Sequence, residues 1–144
     1  MRLGRMACVL CLLLLCACAP EATPTPNPCG QTVVMIYVQR ASLIMSRFGD
    51  TVKAAGSTAR TSVAPLVTTM QDYRRSFVGV SPVPPCLDEY ASLTRQGMDE
   101  TIAAYAAFGR AEPDATVSAH LANSGNYMAL SNQKLAEVLA LLRQ

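Results

Sequence analysis

Apolar residues recur at three- and four-residue steps along most of this chain, and that spacing restricts the fold more than any other feature. Such steps bring side chains to one face of an α-helix, whereas a half-buried strand would show alternation. The pattern falls into four segments, which run over positions 34–52, 63–80, 87–108 and 117–142. The sequence therefore predicts four amphipathic helices.

Glycine and proline mark the boundaries between these segments. Gly49 or Gly56 ends the first helix, and the run 79–85, which is rich in proline, separates the second from the third. Gly109 closes the third helix and Pro113 opens the fourth. These are the usual positions of helix breakers, because glycine favours helix ends and proline suits a first turn.

Four helices with short connections predict an all-α fold, an antiparallel up-down-up-down four-helix bundle over residues 29–144. In that topology the first and third helices run parallel and begin at the same end. Two alternatives remain open. Residues 33–38 are β-prone and would also suit a strand. Pro65 either kinks the second helix or stands at its beginning.

The first residues have the pattern of an export signal. Arg2 and Arg5 supply positive charge, and the run from Met6 to Ala19 is uncharged and rich in leucine, alanine and cysteine. The run is shorter than the roughly 20 apolar residues that a membrane-spanning helix needs, and it has the length of a signal-peptide core. We expect this leader to be removed.

The end of the leader is more specific. Leu15-Cys16-Ala17-Cys18 resembles the bacterial lipobox, and the resemblance covers these four residues and the leader before them. It implies cleavage after residue 17, acylation of Cys18, and an exported protein held by lipid on the cell membrane or envelope. Two alternatives are Cys16 as the acceptor, which would place the bulky Leu15 where a small residue is expected, and an ordinary leader cut near Ala19.

Residues 18–28 have the composition of a tether between the lipid and the folded domain. Four prolines occur between Ala19 and Pro28, together with threonine. A proline-rich segment of this kind is extended and semi-rigid, and it cannot form a core. The predicted organisation is therefore a signal peptide over 1–17, a lipidated tether over 18–28 and a bundle domain over 29–144.

The cysteines support an oxidising compartment. The chain has six, and four of them lie at or before residue 18, where they leave with the leader or carry the lipid. Cys29 and Cys86 remain, without a CxxC motif or a nearby histidine, so zinc is not expected. Each follows a proline and begins a hydrophobic segment. We predict a Cys29–Cys86 disulfide, the alternative being two buried thiols.

Charge and motifs exclude several classes of function. Loss of Arg2 and Arg5 leaves a formally neutral mature chain, without a basic stripe for nucleic acid or a polybasic tail for a membrane. His120 is the only histidine, and no nucleophile-elbow motif occurs. The acidic pairs 88–89 and 99–100 are adjacent on a helix and so cannot form facing dyads. No catalytic residue, and no enzyme, is predicted.

The tyrosines offer an alternative to this plain interpretation. They are spread over all four predicted helices, at Tyr37, Tyr73, Tyr90, Tyr105 and Tyr127. With His120 they could line a ligand pocket, although tyrosine more often lies at a core edge with its hydroxyl in water. Haem held by His120 and a methionine is the cofactor version of this idea, but CxxCH and Glu-x-x-His motifs are absent, and no cofactor or metal is predicted.

Small residues interrupt the apolar pattern of the fourth helix at Ser124, Gly125 and Ser131. They allow close helix approach, or they mark a cavity or partner groove, and the sequence leaves that choice open. The predicted function is a membrane-anchored, non-enzymatic envelope lipoprotein that binds a partner or stabilises an assembly. Its expected partners are the membrane, through lipid, and an envelope protein. The alternative is a bundle that binds a small ligand, haem or a metal.

Overall fold

The computed structural model describes residues 27–143, and this part of the chain is all-helical. Its elements are α1 (Gln31–Gly56), α2 (Ala64–Val78), α3 (Asp88–Gly109) and α4 (Asp114–Leu141), with 3₁₀ turns at Arg60–Ser62 and Pro85–Leu87. The prediction of an all-α fold with four helices is confirmed for residues 27–143. The leader, Cys18 and most of the tether lie outside that range.

Both open questions about secondary structure are answered within α1 and α2. Residues 33–38 are helical, and the strand alternative is wrong, because Val34, Tyr37 and Ala41 are buried at helical spacing. Packing of that face outweighs the β-propensity of the run. Pro65 stands in the first turn of α2, where its missing N–H breaks no helical hydrogen bond.

The hydrophobic core is built by the first three helices and their connections. All completely or nearly buried apolar side chains of residues 27–143 belong to this part of the molecule. The largest of them are Phe77, Met70, Leu87 and Met98. In contrast, the buried residues of α4 are Ser124 and Ser131, and its apolar side chains are only partly covered. The helix with the weakest apolar stripe in the sequence is therefore also the least embedded.

A disulfide joins Cys29, just before α1, to Cys86 in the turn before α3. The two Cα atoms are 6.0 Å apart, which is ordinary for a disulfide. The bonded residues are separated by 57 positions in sequence. For a loop of that length the chain-entropy model gives a stabilisation of about 4 kcal/mol. The structure agrees with the predicted pairing.

The end of α3 shows why Gly109 is small. Glu112 N donates to Ala107 O at 3.0 Å, and the left-handed residue of this turn is Ala111, with φ of 59°. A Cβ on Gly109 would come within 2.9 Å of Val63 Cγ1. Gly109 therefore permits close approach of the α2 connection, while Ala111 adopts the conformation that usually favours glycine.

Candidate functional site

The α3–α4 interface is organised by two pairs of buried hydroxyl groups. Thr94 Oγ1 lies 2.6 Å from Ser131 Oγ, and Thr101 Oγ1 lies 2.6 Å from Ser124 Oγ. Thr94 and Thr101 are seven residues apart on α3, and Ser124 and Ser131 are seven residues apart on α4. Rising residue numbers on α3 meet falling numbers on α4, as expected for antiparallel neighbours.

Each hydroxyl pair is also bonded to a carbonyl oxygen of α3. Thr101 Oγ1 and Ser124 Oγ lie 3.0 and 2.8 Å from Gly97 O. Because each hydroxyl has one proton, one of them donates to this carbonyl oxygen while the other donates to its partner hydroxyl. Thr94 and Ser131 reach Tyr90 O in the same way, at 2.8 and 3.3 Å. Because buried hydroxyls need partners, these networks both satisfy the polar groups and fix the register of the helices.

Gly97 allows α4 to come close to α3 at this point. A Cβ on Gly97 would lie 2.8 Å from Met128 Cε, so the methionine occupies the space that any larger residue would take. Of the alternatives that the sequence left open, Ser124 serves close helix approach, whereas Ser131 both meets Thr94 and lines a groove beside α4. Gly125 is different, since a Cβ there would have no neighbour within 4 Å.

On its other side α4 faces α1 across an open groove. The central part has a volume of about 380 Å³, with Met45 from α1, Tyr90 and Thr94 at its base, and Met128 and Leu135 from α4. Smaller hollows continue the seam at either end. One lies beside Met35 and Leu139, and the other beside Ala55 and Leu121. The groove therefore follows the α1–α4 seam along most of its length.

The five tyrosines do not converge on one cavity. Tyr90 lines the central groove, Tyr105 lines the hollow beside Ala55, and Tyr37 lines a separate hollow beside Val80. Tyr73 and Tyr127 are half-buried, on α2 and α4. The predicted tyrosine pocket is thus divided among several places.

Three of the tyrosines have hydroxyls in unusual surroundings. Tyr37 is buried, and its hydroxyl has no hydrogen-bond partner among residues 27–143. Burial, followed by the nearby Tyr90 phenol, raises the pKa of Tyr37 to about 12. Burial also raises the pKa of Tyr90 and of Tyr105, whose hydroxyl donates to Val52 O at 3.3 Å.

His120 pairs with an acidic group rather than with a methionine. Its Nδ1 lies 2.6 Å from Glu100 Oε2, at a half-exposed edge between α4 and α3. Met70 and Met98 are completely buried in the core. The adjacent Asp99 turns to α2 and forms a bidentate pair with Arg74, with both N–O distances at 2.9 Å. Neighbouring acids on α3 therefore take partners on different helices.

Sequence reasoning did not foresee the hydroxyl pairs, although a signal for them existed. Thr94 and Thr101 occupy apolar positions of the third predicted helix, and Ser124 and Ser131 occupy such positions of the fourth. The seven-residue spacing is the same on both helices. Matched small hydroxyl residues at heptad spacing indicate two helices that face each other through them.

Residues 27–143 contain no group of three or more histidine, cysteine, aspartate or glutamate side chains arranged to hold a metal ion. Within the same range, no helix combines the length and the apolar character needed to cross a bilayer. No protein-family model matches the sequence, and no curated protein or solved structure matches it significantly.

Proposed function

We propose that this protein is an exported lipoprotein, anchored through an acylated Cys18, whose helical domain is a non-enzymatic binding or structural module of the cell envelope. The observation that carries the proposal is the Cys29–Cys86 disulfide. Disulfides persist in oxidising compartments outside the cytoplasm, where lipoproteins are located. The leader and the lipobox-like residues 15–18 supply the independent argument for export and acylation.

We further infer that the helices alternate in direction as an up-down-up-down bundle. The disulfide joins the starts of α1 and α3, and Tyr105 donates to Val52 O near the ends of the same two helices. Arg74 on α2 pairs with Asp99, while Gly109 approaches Val63 before α2. These contacts favour parallel α1 and α3, with α2 antiparallel to both.

The environment of the polar groups favours binding over catalysis. The buried hydroxyls bond to each other and to carbonyl oxygens, and Asp99 and Glu100 are engaged by Arg74 and His120. A large open surface of residues 27–143 is the α1–α4 groove, which combines methionine, leucine and tyrosine with a few hydroxyl groups. Such a lining suits a partner helix or a ligand, because methionine adapts to irregular apolar shapes.

Mass spectrometry of the membrane fraction tests the anchor. The mature protein should begin at Cys18 and carry acyl chains on that residue. Cys18→Ser should abolish acylation, whereas the matched variant Cys16→Ser should leave it intact. An unmodified mature form that begins at Ala19 or later would overturn the proposal. Loss of acylation in Cys16→Ser alone would move the acceptor to Cys16.

The second candidate is a small-ligand-binding bundle, and the α1–α4 groove favours it. Its central volume of about 380 Å³ falls in the range of small-molecule sites. Native mass spectrometry and an absorbance spectrum of protein from its own host test this function. A bound small molecule that is lost in Met128→Ala would support it. A Soret band would identify haem as the ligand, and its disappearance in His120→Ala would place that haem at His120 rather than in the groove.

A further inference from the structure

One flank of α1 exposes apolar and cationic residues at alternating steps of three and four. These residues, which we call the α1 flank, are Val33, Ile36, Arg40, Leu43 and Arg47. The apolar members are 36%, 47% and 58% exposed, in chain order. The spacing places all five on one face of the helix, beside the face that packs into the core. Three large aliphatic side chains of α1 are thus partly in solvent on this one face.

The two arginines of the flank lack acidic partners. In the described part of the chain, Arg60, Arg74, Arg75 and Arg110 form ion pairs, but Arg40 and Arg47 do not. The single acidic residue of α1 is Asp50, one turn beyond Arg47. The flank is therefore an apolar strip that carries positive charge, and it is complementary to an apolar partner with negative charge at its surface.

The flank lies close to the point where the predicted tether joins the domain. It begins shortly after Cys29, and its first residues, with Val80 and Pro82, line a hollow of about 130 Å³. Met35, on the other side of α1, instead lines a hollow with Leu139 of α4 and with Leu142, which directly follows that helix. The α1 flank is thus on the α2 side of the molecule, away from the α1–α4 groove.

The length of the chain before the domain sets how far this surface lies from an anchor. Cys18 precedes Cys29 by eleven residues. Eleven residues at about 3.1 Å per residue, the advance of an extended proline-rich chain, span at most roughly 34 Å. The helical stretch from Val33 to Arg47 covers about 21 Å at a rise of about 1.5 Å per residue. The whole flank therefore lies within reach of a bilayer that holds the lipid.

We propose that the α1 flank docks on the surface of a phospholipid bilayer that contains anionic lipid, an inference that rests on the proposed anchor at Cys18. Val33, Ile36 and Leu43 enter the boundary between headgroups and acyl chains, and Arg40 and Arg47 extend to the phosphates. Long cationic side chains reach headgroups in this way while their neighbours are buried. Two cations and three apolar residues bind weakly alone, so the flank orients a domain that lipid already holds.

Depth-dependent fluorescence quenching tests the docking. The mature protein is purified from cells that express the full chain with either Ile36→Cys or Leu130→Cys. The introduced cysteine is labelled with a fluorophore without prior reduction, so the Cys29–Cys86 disulfide stays closed. The two replaced side chains are equally exposed, at 47%, and lie on different helices. The protein is incorporated into, or added to, vesicles of phosphatidylcholine and phosphatidylglycerol with brominated acyl chains. The label at position 36 should be quenched several-fold more than the label at position 130.

Charge variants and a lipid control sharpen the result. Arg40→Gln with Arg47→Gln should reduce the excess quenching at position 36 by about tenfold, because each headgroup contact by a cation contributes several-fold to binding. The matched variant Arg110→Gln should not change it. Vesicles of phosphatidylcholine alone, which carry no anionic lipid, should also reduce the excess quenching at position 36. Equal quenching at positions 36 and 130 would overturn the docking and leave a protein partner as the occupant of the flank.

Mass spectrometry of the same preparation separates this inference from the anchor. An acylated protein without excess quenching at position 36 supports the anchor and refutes the docking. A protein without acyl chains that still shows the excess quenching refutes the anchor and supports the flank as a lipid-binding surface.

Discussion

The first three helices and the fourth are held in place by different interactions. In α1, α2 and α3 the buried side chains are mainly apolar, with Phe77, Met70 and Met98 at less than 3% exposure. The buried side chains of α4 are Ser124 and Ser131, and both lie against hydroxyl groups of α3. The first part buries mainly hydrocarbon, whereas α4 combines partly buried apolar side chains with hydroxyl pairs at its most buried positions.

This difference explains the shape of the molecule. Hydrophobic burial is non-directional and draws the first three helices together, whereas hydroxyl pairs act only in one register. The pairs bind α4 tightly to α3, and no comparable set of buried residues within 27–143 joins α4 to α1. The groove between α1 and α4 is the consequence. A surface for a partner therefore arises where the apolar core ends.

The largest predicted effect is loss of an aromatic side chain from the three-helix core. Phe77→Ala should lower the free energy of unfolding by about 3 to 5 kcal/mol, because it removes apolar contacts and leaves a cavity. Leu135→Ala, at a partly buried position of α4, should cost less than half as much. Urea denaturation of both variants, with the disulfide intact, measures the difference. Equal losses would contradict the division between core and α4.

Much of the secondary structure could be predicted because local chemistry determines it. Gly56, Gly109 and Pro113 delimit helices as expected, since breakers act on the backbone wherever they stand. Gly49 is a helix-interior residue, because the apolar series continues through Phe48 and Val52 and packing keeps the helix intact. A breaker within a continuing apolar pattern is thus weak evidence for a boundary.

The contacts between helices could not be predicted in the same way. Ser124 and Ser131 interrupt the apolar pattern of the sequence, but their partners Thr94 and Thr101 depend on which helices become neighbours. The groove likewise depends on how far α4 stands from α1. The unpartnered hydroxyl of Tyr37 is a property of the folded core alone. These features come from three-dimensional arrangement, which a single sequence does not encode locally.

The next effect concerns the hydroxyl pairs. Ser124→Ala or Thr101→Val should each lower stability by about 1 to 3 kcal/mol, because one buried hydroxyl then loses its neighbour. The double variant should cost less than the sum, with a coupling energy of at least about 0.5 kcal/mol. Chemical denaturation of the four proteins completes the cycle. The exposed α4 serine Ser118 provides the control, since Ser118→Ala removes no buried contact and should gain at most about 0.5 kcal/mol from helix propensity. Additive losses in the cycle would argue against a paired interaction.

The Tyr37 hydroxyl is buried without a hydrogen-bond partner among residues 27–143, and its removal should stabilise the protein. Tyr37→Phe deletes a buried hydroxyl that has no hydrogen-bond partner within residues 27–143, so we expect a gain of about 1 kcal/mol. Tyr105→Phe is the contrasting variant, because it removes a hydroxyl that donates to Val52 O and should therefore lower stability. Thermal and urea denaturation near neutral pH measure both. Destabilisation by Tyr37→Phe would show that the hydroxyl is satisfied.

The same tyrosine predicts the alkaline stability of the protein. Burial raises the pKa of Tyr37 from 10.0 to about 12. Below pH 10 the phenol is neutral in both the folded and the unfolded states, so its ionisation does not lower the free energy of unfolding there. As pH rises from about 10 to 12, the unfolded phenol ionises first and the free energy of unfolding falls. Tyr37→Phe should lose less stability over this interval, with the remaining loss coming from groups such as Tyr90 and Tyr105.

The smallest effect compares two glycines inside helices, one on each side of the division. Gly125 lies in α4, where an added methyl group would meet no atom within 4 Å, so Gly125→Ala should gain up to about 1 kcal/mol from helix propensity alone. Gly97 lies in α3, where the same methyl group would meet Met128 at 2.8 Å. Displacing Met128 loosens the contact that brings Ser124 to Gly97 O, so Gly97→Ala should show no gain or a loss. Urea midpoints of the two variants give the comparison directly. Equal stabilisation by Gly97→Ala and Gly125→Ala would show that the close contact between Gly97 and Met128 does not hold α4 against α3. The hydroxyl pairs would then have to hold the two helices together without that contact.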